Sequence, residues 1–225
     1  MKRSSDTIHP VLRCMTEWSG VIAVFLALVV PLIIVFLRGD FDVRSRYISE
    51  LGAHDEPYEM IIRWISFFPA GLFFLFFTLT VIRPLAVVSR TPVAWILIGF
   101  WGVGWTASAL FPCDPGCPFT GSFSQMIHGF AILPPYVFGV PFGLIRLHRH
   151  FDAQAFSKGF LIYGILAAIV FLSSYLIILP GFFADYRGAI QWLGELSFAG
   201  WIIWLSVIRF RCDRIYAEQA IAPNL

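Results

Sequence analysis

The sequence predicts an all-α polytopic membrane protein, a bundle of six transmembrane helices. Three observations predict it. Of the 225 residues, 58% are hydrophobic and 13% charged, about half the charged share that a soluble domain uses to keep its surface wet. The apolar residues fall into six continuous blocks, each able to cross a hydrocarbon core of roughly 30 Å at about 1.5 Å per residue. The blocks do not alternate as barrel strands do. Lipid satisfies no backbone polar group, so continuous apolar spans are read as helices.

The first block, at about 18–37, follows a polar stretch with Asp6 and Glu17. It has no small-residue cleavage site before Arg38-Gly39-Asp40, so it reads as a span and not as a signal peptide. The second, at about 60–82, contains Arg63. The third, at about 93–111, holds Gly102, Gly104, Ala107 and Ser108, small residues that suit close helix packing. In the fourth, at about 127–145, Pro134, Pro135 and Pro141 predict a kink. The fifth, at about 160–183, repeats the small-residue theme with Gly164, Ala167 and Ala168. The sixth, at about 190–208, carries Gln191 and Glu195, four residues apart and so on one helix face. No connection exceeds about 22 residues, too few to bury a core outside the membrane, and the chain reads as a single membrane domain over 1–225.

Orientation follows from Lys and Arg. The N-terminus, the second and fourth loops and the C-terminus hold eleven of the 16. The first, third and fifth loops hold Arg38, Arg44, Arg46 and Arg187, and Arg63 lies inside a span. Both termini are therefore expected in the cytoplasm. A net charge of +2 is too small to argue for nucleic acid. The cytoplasmic loops carry no P-loop, dinucleotide fingerprint or kinase motif. Membrane lipid is the expected partner; the sequence names no cofactor and no protein partner.

The polar residues outside the basic anchors gather on the outer side. Loop 1 contains Tyr47-Ile48-Ser49-Glu50-Leu51-Gly52 and, further on, Pro57. Loop 3 contains Phe111-Pro112-Cys113-Asp114-Pro115-Gly116-Cys117, and His128 opens the fourth block. This set resembles the prokaryotic membrane family called domain of unknown function 998. The loop 1 stretch also resembles a segment of the related Frag1/DRAM/Sfk1 six-helix proteins, with Glu50 where those have Asp. The resemblance spans nearly the whole chain. It implies six helices in a bacterial or archaeal cytoplasmic membrane and, through the Frag1-type relatives, a lean towards lipid chemistry. It implies no settled activity.

Each candidate residue is open to two readings. Cys113 and Cys117 flank Asp-Pro-Gly, a turn sequence. In an oxidising compartment a short disulfide is favoured; a metal site is the alternative and needs further ligands. Cys14 and Cys212, on the reducing side, are expected to be free thiols. Asp114 either caps a turn or serves as a ligand or base. His128 is a hydrogen-bonded interfacial histidine, a general base or a metal ligand; a metal site would combine it with Asp114 and with His54 or Glu195. Ser49 and Glu50 form a capping device, or else Ser49 is a nucleophile and Glu50 a headgroup contact. Charge inside a span costs at least ~2.5 kcal/mol, so Arg63 and Glu195 each need a partner. They pair with each other, or Arg63 binds Glu59 or a phosphate. Gln191 and Glu195 are expected to face the bundle interior.

Catalysis would thus rest on His128, Asp114 and Ser49, and substrate binding on Arg63, Glu195, Gln191 and Glu50. Three functions follow: a site open to the outer leaflet that binds or modifies a lipid or prenyl-linked substrate, a non-catalytic scaffold or partner subunit, or a small-molecule transporter. The absence of an inverted repeat and of a midplane charge cluster weakens the last.

Overall fold

Six helices are long and apolar enough to cross a membrane in the computed structural model. It describes residues 18–89, 92–150, 156–178 and 181–221, with 81–89, 150 and 209–221 as backbone only. Cys14 and His9 lie outside the described residues, as do the side chains of Cys212 and His150. The helices are α1 (Trp18–Arg38), α2 (Glu59–Thr80), α3 (Pro92–Leu110), α4 (Phe123–Arg149), α5 (Lys158–Ile178) and α6 (Ala184–Ile208). The described residues contain no strand. Helical backbone runs on past α2 to Ser89 and past α6 to Ile221.

The ends differ from the expected blocks where local chemistry overrides hydropathy. Helix α4 starts four residues before the block predicted at 127, because Ser122 caps it by accepting a hydrogen bond from the Gln125 N–H. Helix α5 is described as far as Ile178, and by Gly181, with φ +74°, the chain has turned, so the helix ends before the expected 183. Helix α1 closes on Gly39, whose φ of +70° lets its N–H bond the Val35 carbonyl.

The prolines of α4 act through register. Pro135 has no N–H to donate, and Pro135–Gly139 winds as a π-helix inside a continuous α4. Two other π segments, Phe25–Val29 in α1 and Ile62–Phe67 in α2, are joined where the Ser66 hydroxyl donates to the Leu26 carbonyl at 2.6 Å.

Each helix packs on the next in chain order, and small residues set the approach. A Cβ on Gly71 of α2 would stand 2.5 Å from the Gly102 carbonyl oxygen of α3. A Cβ on Gly143 of α4 would stand 2.9 Å from the Ala94 carbonyl oxygen of α3. Gly164 of α5 lies under the His148 ring of α4, which accepts a hydrogen bond from the Trp201 indole at 2.8 Å. The centre is aromatic: Phe74, Trp101, Phe171, Phe198 and Trp201, from four helices, are fully buried in mutual ring contact.

Candidate functional site

One end of the bundle carries the first, third and fifth loops. The Ile48–Gly52 3-10 turn of loop 1 is the hub. The Tyr47 N–H donates to Glu50 Oε1, and Arg46 and Arg187 both donate to the Glu50 carboxylate, at 3.0 and 3.2 Å. Arg38 and Arg46 both reach Glu56. Arg46 also lies over the Phe41 ring, and Arg187 over Tyr47. Loop 1 is fastened to α6 as well. The Ile48 N–H donates to Gln191 Oε1 at 2.8 Å, Arg187 Nε donates to the Ser45 carbonyl, and the Ala189 N–H donates to the Arg44 carbonyl. Gly188 permits this: a Cβ there would stand 2.5 Å from the Val43 carbonyl oxygen.

Burial alone would raise the Glu56 carboxyl, but the Arg38 and Arg46 guanidiniums outweigh it and hold it below the usual carboxylate range. This end is acidic on balance. Asp40, Asp42, Glu50, Asp55, Glu56, Glu59, Asp114 and Asp185, eight acids, face Arg38, Arg44, Arg46, Arg63 and Arg187, five bases, a difference of −3.

Loop 3 folds around a disulfide between Cys113 and Cys117. Asp114 accepts from both the Ser122 N–H and the Ser122 hydroxyl at 2.7 Å, which hold its carboxyl below its ordinary range. The Gln125 side chain returns the contact by accepting the Asp114 N–H at 2.9 Å. His128, only 4% exposed, has Nδ1 at 2.8 Å from the Phe111 carbonyl. A carbonyl only accepts, so Nδ1 carries the hydrogen and Nε2 keeps a bare lone pair.

Between loops 1 and 3, α4, α5 and α6 lies a cavity of about 520 Å³. Its apolar walls include Met126, Phe130, Ile132, Leu133 and Ile178, and its polar groups are Tyr47, Ser49, Gln125, His128, Tyr175 and Gln191. Cys117 and Phe119 belong to its rim. Phe119 is 87% exposed and Phe130 80%, so the walls continue onto the outer surface of the bundle. No Lys, Arg, Asp or Glu lines it. A small void of about 20 Å³ shares Ser49, Ile132 and Gln191 with it and reaches Trp105, Ser108 and Glu195.

The candidate residues therefore separate. Ser49, His128 and Gln191 come together on the cavity, with Ser49 Oγ 3.4 Å from Cys117 Sγ. Asp114 is not part of the lining; its oxygens accept from Ser122 and His128 Nδ1 takes the Phe111 carbonyl, so these hydrogen bonds do not join the expected pair directly. Glu50 holds the loop and does not line the cavity, because its two oxygens are engaged by Arg46, Arg187 and the Tyr47 N–H. Arg63 and Glu195 do not pair. Arg63 Nε donates to the Ala109 carbonyl at 2.8 Å and its guanidinium stands 3.9 Å from Glu59. Glu195, 1% exposed, accepts from the Trp101 indole at 2.8 Å and the Tyr175 hydroxyl at 2.7 Å. Among the described residues, the potential metal ligands that lie close together are His128, Cys113 and Cys117, the two cysteines joined in the disulfide; Asp114, His54 and Glu195 are not among them.

Trp101 and Tyr175 were invisible as Glu195 partners, because both count as apolar in a hydropathy reading. Gln125 gave a weak signal, as an amide next to the expected start of α4. No curated protein and no solved structure matches the chain. Residues 21–208 match the model of the family described as protein of unknown function DUF998, which reaches from α1 to the end of α6. The chain belongs to that family of uncharacterised proteins, as an apparatus of six apolar helices closed at one end by a polar cap.

Proposed function

We propose that this is a lipid-binding membrane protein whose cavity takes an apolar chain of a lipid or prenyl-linked molecule with an uncharged polar head. The observation that carries the reading is the lining. Apolar walls end at Ser49, Gln125, His128 and Gln191, with no charged side chain. Such walls favour hydrocarbon, and the hydroxyl, amide and imidazole groups suit an alcohol, ester or carbonyl head. A phosphate would call for Arg or Lys, and Arg63 is engaged elsewhere. The size falls in the usual range for small-molecule sites, roughly 300–1,000 Å³. The Lys and Arg asymmetry of the sequence supports an opening towards the outer leaflet. His128 Nε2 and the Ser49 hydroxyl supply a base and a nucleophile without the third group of a complete constellation, so binding is favoured over catalysis.

Gly129 provides the test. It lines the cavity, and a Cβ there meets nothing within 4 Å. Gly129→Trp should fill the space without unfolding the protein. A photoreactive long-chain alcohol should label wild type on α4, and the variant should lose that label severalfold at an unchanged melting temperature. Equal labelling of both, or label spread over all six helices, would sink the reading.

A further inference from the structure

We propose that, once the Cys113–Cys117 bond is opened, both thiolates and His128 Nε2 form a three-ligand site for a soft divalent cation of the zinc type. Its open position would face the cavity.

One ligand atom from each residue lies within 4.8 Å of the others. Metal–sulfur bonds of about 2.3 Å and metal–nitrogen bonds of about 2.0–2.1 Å put ligands on a shared tetrahedral ion roughly 3.3–3.8 Å apart. Opening the disulfide lets the two bonded sulfurs part to that separation, with an imidazole nitrogen already within 4.8 Å of both. The histidine is already oriented. Its Nδ1–H is held by the Phe111 carbonyl, the support that ligating histidines commonly use, and its bare Nε2 is the atom left to bind. Phe111 lies two residues before Cys113, so one short corner carries both thiols and the group that aims the imidazole.

The donor set is two soft thiolates and one neutral imidazole, which suits zinc and neutralises its charge. Asp114 does not compete, since Ser122 occupies both of its oxygens. Three protein ligands with a fourth position open is the arrangement of catalytic rather than structural zinc. Cys117, His128 and Ser49 all line the cavity, so that position faces the space where a head group would sit.

The disulfide and the metal exclude each other. Opening needs two thiols of an external dithiol reductant. These leave as their own disulfide and protonate the two cysteine sulfurs, and metal binding then releases those two protons.

The test uses the full chain in detergent, on a Cys14→Ser/Cys212→Ser background that removes the other thiols. Cobalt is the first probe, since its thiolate charge-transfer absorption reports sulfur ligation, and zinc follows by competition. The reduced protein should bind one cobalt per chain with that absorption, and the oxidised protein none. His128→Ala, which keeps both cysteines, should bind at least tenfold more weakly. Equal binding by oxidised and reduced protein would overturn the site, as would no binding by the reduced protein or full binding by His128→Ala. The oxidised-against-reduced comparison needs no variant at the site, so a misfolded mutant cannot decide it. Lipid labelling of the oxidised protein is independent of this result.

Discussion

Glu195 shows how one residue can be half legible. An acid inside an apolar block announces that it needs a partner, and charge logic points to Arg63, the one cation inside a span. The structure satisfies the acid with neutral donors instead, Trp101 and Tyr175. Glu195→Ala would take the acceptor away from both buried donors, at about 1–3 kcal/mol for each one left without a partner. Glu195→Gln keeps an acceptor oxygen and should cost clearly less. Thermal unfolding in detergent separates the two; equal losses would mean that these hydrogen bonds do not hold α3, α5 and α6 together. His128 was legible as a polar residue at a span end, but its tautomer was not. That depends on the Phe111 carbonyl, 17 residues earlier, placed by the loop 3 corner.

Among the elements, existence was easier to read than ends. Apolar length fixed the number of spans because the hydrocarbon core sets a minimum length. The ends obey caps: Ser122 for α4, Gly39 for α1. Ser122→Ala removes the cap of Gln125 N–H and one of the two donors to Asp114, and should lower stability by about 1 kcal/mol. Small residues in α3 pointed correctly to close packing, yet the facing glycine in α2, Gly71, gave no separate signal. A Gly71→Ala Cβ meets backbone of α3, which cannot rotate away as a side chain would. The cost should be about 1–3 kcal/mol. A melting temperature unchanged by that substitution would show that α2 and α3 slide apart without loss. Proline was read as a kink; what the sequence did not show is that Pro135 opens a π turn, a widened register that goes with its missing N–H.

At the scale of the whole molecule, the polar residues of three loops were expected on one side, and they form one cap. What could not be read was which of them face the cavity and which hold the cap. Ser49 and Glu50 are neighbours in sequence with opposite fates, a division set by long-range contacts to Cys117 and Arg187. The cap also gives the protein a pH response. Glu56 sits below its ordinary carboxyl value, so its contribution is complete above the unfolded value of roughly 4.3 and is lost as pH falls through the lower folded value. Thermal stability should therefore drop on acidification below about pH 4. Glu56→Gln should be less stable than wild type at neutral pH and should show a shallower acid loss. Parallel curves for the two proteins would assign the acid loss to other groups.

The same cap sets what reaches the cavity before anything touches it. Three more acids than arginines at that end make a negative field that concentrates cations and thins out anions over about a Debye length, roughly 8 Å at physiological salt. A divalent metal should arrive faster at low ionic strength than at high, whereas an uncharged lipid sliding in past Phe119 and Phe130 should arrive at one rate in both.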